Sequence, residues 1–395
     1  MKKPNPHYYR LGRFCAGIAS RVVFRRKFVR NELKGKKGPA VLIANHGAML
    51  DFLNAFGVTK TPMNFVVSNS FYSTLPKAVR KMIDKVEAIP KQQFQTSISD
   101  MHKMKGVIDT GGILVIYPAG LMCEDGRSTP IPAATYRFLQ WLGVDVYVLR
   151  SYGSYFCMPK WAKKRRPGRT LLDVYKLIDK ETLLKTPPNE FKALAEEAIA
   201  FDAYRDQEKL LIKYKKNHIV EGLENVLYKC PNCKSEFTIS AKNDIISCSA
   251  CGYTERCDKH GFLHILGDVG EEIRYVSSWS EMIYRELHES IKGDELTSLS
   301  ASVSVHKLNH EKHAFLPLAE ATVTVGLEEL TLIGEELEIR LPSVSFPSLP
   351  FKPGVYLEIQ DGDDIYRCYP HDGRLTMKLI NMQKCAYAIK MEGKA

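Results

Sequence analysis

VLIANHGAMLDFLNAF, residues 41–56, is the stretch on which the reading of this chain turns. VLIAN is a short apolar run of the kind a buried parallel strand shows before it meets its loop. Asp51 stands where a helix would open. A turn between them can bring the carboxylate to one imidazole nitrogen of His46. The other nitrogen then faces a substrate hydroxyl as general base. The aspartate fixes the tautomer and stabilises imidazolium as the proton moves, with the substrate supplying the nucleophile. Histidine suits this task because its ordinary pKa lies near working pH. A His and an Asp five residues apart also arise by chance, the Asp serving only as a helix cap, so the pair draws its weight from what surrounds it.

Upstream, residues 8–29 read as a helix with Leu11, Phe14, Cys15, Ile18 and Val22 on one stripe and Arg10, Arg13 and Arg21 beside it. That pattern suits a helix lying on anionic lipid, or one packed on its own domain. Downstream, strands are expected at 63–68, 113–117 and 144–149 and helices at 94–109, 133–142 and 189–216, with a basic loop at 163–169. Apolar runs separated by helices indicate α/β architecture with a largely parallel sheet.

In order along the chain, four segments resemble the blocks of the glycerolipid acyltransferase family, whose best-known members acylate lysophosphatidic acid. NHGAMLD resembles its N-H-x-x-x-x-D block, and EAIPKQ (87–92) its second. YPAGLMCEDGRS (117–128) resembles the third, usually written F-P-E-G-T-R-S, and VYVLRSYGSY (146–155) sits where the fourth is expected. The resemblance covers roughly residues 30–215. It implies His46 as catalytic base oriented by Asp51, Lys91 on a substrate phosphate, and acyl-CoA or acyl-carrier protein as acyl donor. Backbone N–H groups around Gly120 are candidates to meet the oxyanion.

The third block departs from the pattern. Ala119 replaces its Glu, Leu121 and Met122 replace Thr-Arg, and the next arginine is Arg127. An insertion is expected either to carry Arg127 back to the phosphate or to set Glu124 and Asp125 against a different acceptor. Ala48 takes the place of a small hydroxyl residue after the histidine.

CPNC (230–233) and CSAC (248–251) form two C-x-x-C pairs 14 residues apart, the second followed by Gly252. Cys230, Cys233, Cys248 and Cys251 at this spacing are expected to hold one structural Zn²⁺ tetrahedrally, leaving no open position for catalysis. The six other cysteines are scattered, unlike a secreted disulfide framework. After a helix at 279–293, the pattern from residue 300 changes to short strands separated by Gly, Asp and Pro turns. This is compatible with a pleckstrin-homology-like or similar barrel, by analogy of fold only.

The expected organisation is a basic membrane-associating segment (1–37), an acyltransferase domain with a mixed, largely parallel sheet (38–220), a zinc ribbon (226–260), a helical linker (261–299) and a β-rich domain (300–395). Of 395 residues, the first 220 hold 38 Lys and Arg against 18 Asp and Glu, and the remainder 18 against 27. A basic first half suits a membrane surface or a phosphate-bearing lysophospholipid. Nucleic acid is not an expected partner, because the ribbon lies in the less basic half and the loop at 163–169 lacks interleaved aromatics. With no apolar run of 18 residues and no signal-peptide core, a cytoplasmic protein peripheral on the inner face of the membrane is expected. The sequence thus points to transfer of a fatty acyl group onto a lysophospholipid hydroxyl, with 1-acylglycerol-3-phosphate as acceptor, within phospholipid biosynthesis. The alternative is a catalytically impaired protein of the same fold that binds membrane lipid.

Overall fold

The computed structural model describes residues 4–93, 97–214 and 218–392. The chain forms two compact bodies. One holds the residues through Pro159 together with Arg165–Tyr214, and the other Lys160–Lys164 and the chain after Tyr214.

The first body opens with helix α1 (Pro6–Phe24), capped by the Asn5 side chain, and strand β1 (Lys27–Asn31). Then come β2 (Ala40–Ala44), α2 (Phe52–Ala55), β3 (Met63–Ser68), α3 (Asn69–Thr74), α4 (Lys77–Lys85), β4 (Ile89–Lys91), α5 (Ile98–Asp109) and β5 (Ile113–Ile116). It finishes with α6 (Ala133–Leu142), β6 (Asp145–Tyr152), α7 (Ser154–Cys157), β7 (Leu171–Ile178), α8 (Lys180–Lys185), α9 (Pro188–Ile199) and α10 (Ala203–Leu210). The sheet order is β1-β7-β6-β2-β5-β3-β4. Strands β6, β2, β5, β3 and β4 run parallel; β7 is antiparallel to β6, and β1 is parallel to β7.

Both faces of the central strands are buried, which is why β2 and β5 read as unbroken apolar runs. Val41, Ile43, Leu114 and Val146 pack under α5, α6 and α9. Leu42, Ala44, Val115 and Tyr147 face the opposite side, where Tyr9 of α1 joins them. A parallel sheet gathers the C-terminal ends of its strands at one edge, where loops collect ligands. His46, Tyr117 and Lys91 all stand at that edge.

The helix expected over 8–29 stops at Phe24, where Arg25 takes a left-handed φ of 41° and the chain turns into β1. The residues expected as a separate basic segment are built into this body through the β1–β7 pairing. Tyr9, Ala16, Ser20 and Val23 of α1 are buried. Ser20 Oγ donates to Asn54 Oδ1 at 2.6 Å, and Arg13 Nε donates to the Thr59 carbonyl at 3.0 Å. The opposite face of α1 leaves Leu11, Phe14, Ile18 and Val22 about half exposed or more, with Cys15 exposed among them. Among the described residues, no helix is long and apolar enough to cross a membrane. The expected helix over 189–216 is two helices, because Asp202 caps a new one with bonds from the Tyr204 and Arg205 amides. Residues 94–96, at the start of the helix expected from 94, and 215–216, at the end of this one, lie outside the described residues.

In the second body, β8 (Ile239–Lys242), β9 (Ile245–Cys248), β10 (Thr254–Cys257) and β11 (Leu263–Ile265) form an antiparallel sheet. Helix α11 (Val276–Lys292) follows, and its Trp279 Nε1 donates to the Lys229 carbonyl at 2.8 Å. A second antiparallel sheet has the order β15-β14-β13-β12-β18-β17-β16. Its strands are β12 (Ser298–Asn309), β13 (Ala314–Gly326), β14 (Glu329–Gly334), β15 (Leu337–Pro342), β16 (Phe351–Lys352), β17 (Tyr356–Asp361) and β18 (Asp364–Pro370). Helix α12 (Leu375–Glu392) ends the described chain and packs on β12, β13 and α11.

Candidate active site and metal centre

The turn after β2 is organised by one carboxylate. Asp51 Oδ2 accepts the Gly47 amide at 2.8 Å and the Ala48 amide at 2.7 Å. His46 Nδ1 lies 3.5 Å from the same oxygen. That is the outer limit of a hydrogen bond, and such contacts tighten once substrate is bound. Asp51 is 1% exposed, and the His46 side chain keeps 24% of its surface. The aspartate is therefore an internal brace, and the imidazole reaches solvent. The Tyr117 ring leans on the imidazole, with centroids 4.8 Å apart and planes at 48°. Burial first, and then the Asp51 charge, push the Tyr117 phenol well above its ordinary value.

Asn45 fixes the strand end. Its Nδ2 donates to the Ser151 carbonyl at 3.2 Å, and its Oδ1 accepts the Ser151 amide at 2.8 Å. This two-way bond ties the residue before His46 to β6. Asn45 and Tyr117 escaped the sequence reading, although both sit inside the quoted blocks.

A cavity of about 200 Å³ opens beside His46. Ala119, Leu121, Ile131 and Phe201 supply apolar wall, and Tyr136 and Glu196 a polar one. Burial, and then the neighbouring Glu196 charge, raise the Tyr136 phenol. Glu196 comes from α9, about 150 residues from the histidine, so no local motif could have flagged it.

The remaining expected ligands, Gly120, Arg127 and Lys91, are not among the residues lining this cavity. Gly120 adopts φ +66°, a region that favours glycine, and its amide donates to the Tyr117 carbonyl at 3.0 Å. That amide is committed to the turn, so Gly120 itself is not the oxyanion donor; its neighbours Ala119 and Leu121 line the cavity. Arg127 pairs with Asp125. Its Nε and one terminal nitrogen donate to Asp125 Oδ2 at 2.9 and 2.6 Å, and its amide donates to Asp125 Oδ1 at 3.0 Å. Asp125 is buried, and burial ahead of the Glu124 charge raises its pKa against the lowering pull of Arg127. Lys91 ends the edge strand β4 and donates to the Gln92 carbonyl at 2.9 Å. Burial lowers its pKa from the ordinary lysine value.

In the second body, the sulfurs of Cys230, Cys233, Cys248 and Cys251 all lie within 4.8 Å of one another. Cys230–Cys251 and Cys233–Cys248 separations are 3.8 and 3.7 Å. A tetrahedron with Zn–S bonds of about 2.3 Å has edges of roughly 3.8 Å, so the four sulfurs suit zinc. Each knuckle closes alike: the Lys234 amide donates to the Cys230 carbonyl and the Gly252 amide to the Cys248 carbonyl, with φ of 61° and 77° at the donors. Hydrogen bonds from Ser235 bring Cys233 down to about 6, while burial pushes Cys230 up to about 12. A bound cation would favour thiolate at all four positions. Cys257, His260 and His264 are outside this cluster.

Residues 25–148 match the family described as Acyltransferase. Residues 223–254 match a zinc-ribbon family described as DNA directed RNA polymerase, 7 kDa subunit. Among solved structures, the chain is similar to the 1-acyl-sn-glycerophosphate (LPA) acyltransferase PlsC from Thermotoga maritima. The identity is 16% and the TM-score 0.40, over 52% of this chain and 78% of that one. No curated protein matches the chain.

Proposed function

We propose that the first body transfers a fatty acyl group from an acyl thioester, acyl-CoA or acyl-carrier protein, to a hydroxyl of a lysophospholipid or related glycerolipid. The observation that carries this reading is the His46–Asp51 pair opening into a partly apolar cavity at the C-terminal edge of the sheet. His46 Nε2 accepts the acceptor's hydroxyl proton while Asp51, on Nδ1, holds the tautomer. The freed oxygen attacks the thioester carbonyl carbon. The tetrahedral intermediate collapses, the C–S bond breaks, and the thiolate leaves with the proton returned from imidazolium. The backbone amides of Ala119 and Leu121, which line the cavity, are the candidates to meet the oxyanion.

The exposed stripe on α1 supports peripheral attachment to anionic membrane, since Arg10, Arg21, Arg25 and Lys27 are exposed beside it. Structural Zn²⁺ on the four cysteines is proposed for the ribbon. The seven antiparallel strands and terminal helix of the second body are proposed as a pleckstrin-homology-like module with a supporting role. A second reading, lipid binding without turnover, is favoured by Ala119 standing where the family pattern has Glu. Incubating purified protein with acyl-CoA and a panel of lysolipids, followed by lipid mass spectrometry, decides between them: a new diacyl product supports transfer, and its absence across the panel supports binding alone.

A further inference from the structure

The charges around His46 are distributed in a way that bears on which acceptor fits there. Among the described residues, none of those lining the cavity is a lysine or arginine, and besides His46 the one ionisable acid there is Glu196. The cations expected to hold a phosphate, Arg127 and Lys91, do not line this cavity. Arg127 donates twice to Asp125 Oδ2, and Lys91 donates to the Gln92 carbonyl at the sheet edge. Lys192, one turn back on α9, lies 3.8 Å from Glu196, but both side chains are more than 40% exposed. An exposed pair of that kind is weak, worth about 0–1 kcal/mol. Ala119 and Glu196 line the same cavity, so a small side chain at 119 leaves room for the carboxylate that α9 brings.

A carboxylate only accepts hydrogen bonds, and so does a fully ionised phosphate. A phosphate monoester carries a charge of about −1.5 to −2 near neutral pH and would meet the Glu196 carboxylate in a cavity that no lysine or arginine lines. Hydroxyl groups donate, and both Glu196 and the adjacent Tyr136 oxygen can receive them. The arrangement selects as much by repulsion as by attraction.

Resting on the acyl-transfer reading above, we propose that the cavity takes an uncharged, hydroxyl-bearing glycerolipid as acceptor, and that Glu196 selects it against the phosphate monoester. The polar part of the acceptor sits between His46 and Glu196. One hydroxyl gives up its proton to the imidazole, and a neighbouring hydroxyl donates to the carboxylate.

The test uses full-length protein, acyl-CoA, and mixed micelles holding either 1-monoacylglycerol or 1-acylglycerol-3-phosphate. The uncharged acceptor should be favoured in kcat/KM by about tenfold or more, the scale on which like-charge juxtaposition discriminates. Glu196→Lys should reverse or erase that preference, raising KM for the monoacylglycerol and lowering it for the phosphate. Glu196→Gln, which keeps a carbonyl acceptor, should narrow the preference without reversing it. Position 196 is part-exposed on a helix, so all three proteins should melt alike. A wild-type preference for the phosphate acceptor, or a ratio unmoved by Glu196→Lys, overturns this inference while leaving acyl transfer standing. Transfer to neither acceptor overturns the acyl-transfer reading and this inference with it.

Discussion

His46 Nδ1 and Asp51 Oδ2 are 3.5 Å apart, and that same oxygen holds the two amides that follow the histidine. One carboxylate thus serves both the fold of the turn and the orientation of the ring. The two residues should separate in their effects. His46→Ala is expected to lower turnover by about 10²–10⁴-fold, the usual contribution of a general base, with little change in melting temperature. Asp51→Ala should lower both, since each buried amide left unpaired costs about 1–3 kcal/mol. Turnover measured beside a thermal melt checks this; a His46→Ala protein that melts normally and retains most activity removes the dyad.

The ribbon should carry one zinc per chain when purified without added metal. Elemental analysis of Cys230→Ser should show that metal lost, because three thiolates hold it far less well than four. Chelation of the wild-type protein should then destabilise the second body. Zinc content unaffected by the substitution would place the metal elsewhere.

Liposome sedimentation tests the α1 surface. Phe14→Glu and Ile18→Glu each remove an exposed apolar group whose burial in lipid is worth about 1.5–3 kcal/mol, so partition should fall roughly tenfold or more. Raising salt should weaken binding without abolishing it. The basic residues near anionic lipid contribute about 1 kcal/mol each, and screening acts on that part alone. Equal binding of the glutamate variants would show that the stripe is not the contact.

Glu255, on β10, is fully buried, and its Oε1 accepts the Tyr253 hydroxyl at 2.5 Å and the Ile273 amide at 2.8 Å. Burial raises its pKa from 4.5 to about 6. The native state then binds more protons than the unfolded chain between these values. Stability from this group is greatest below about 4.5, is lost as pH rises through about 6, and above that carries a steady penalty of about 2 kcal/mol. Glu255→Gln keeps the acceptor and removes the charge. Melts at saturating zinc should show the variant gaining on wild type from pH 5 to 7 and holding that lead above. A difference that stays flat with pH would contradict the assignment.

Much of the first body is legible in sequence because its central strands are buried on both faces. β2, β3, β5 and β6 read as apolar runs for that reason. β1, KFVRN, is an edge strand with three exposed residues, so no apolar run marks it. β7, LLDVYKLI, buries Leu172, Val174 and Ile178 but turns Asp173 and Lys176 outward, so its signal is alternation broken by charge. The dyad was legible because both members lie on one turn. Glu196 and the Asn45–Ser151 bond were not, since sheet order and helix packing join residues distant in sequence. The Arg127–Asp125 pair was likewise out of reach, because the sequence sets Arg127 on the phosphate and Glu124 with Asp125 on a different acceptor as alternatives, not the two as partners of each other.

The bond from Ser20 on α1 to Asn54 on α2 reaches within three residues of Asp51. With Arg13 on the Thr59 carbonyl and Tyr9 against Phe56, it ties α1 to the segment behind the histidine. If the outer face of α1 rests among lipid headgroups, the height of His46 above that plane is set by the chain and not by the ligand. Such a catalyst samples a two-dimensional solution. Its rate should follow the mole fraction of acceptor in the surface, so inert lipid added at constant acceptor amount slows it.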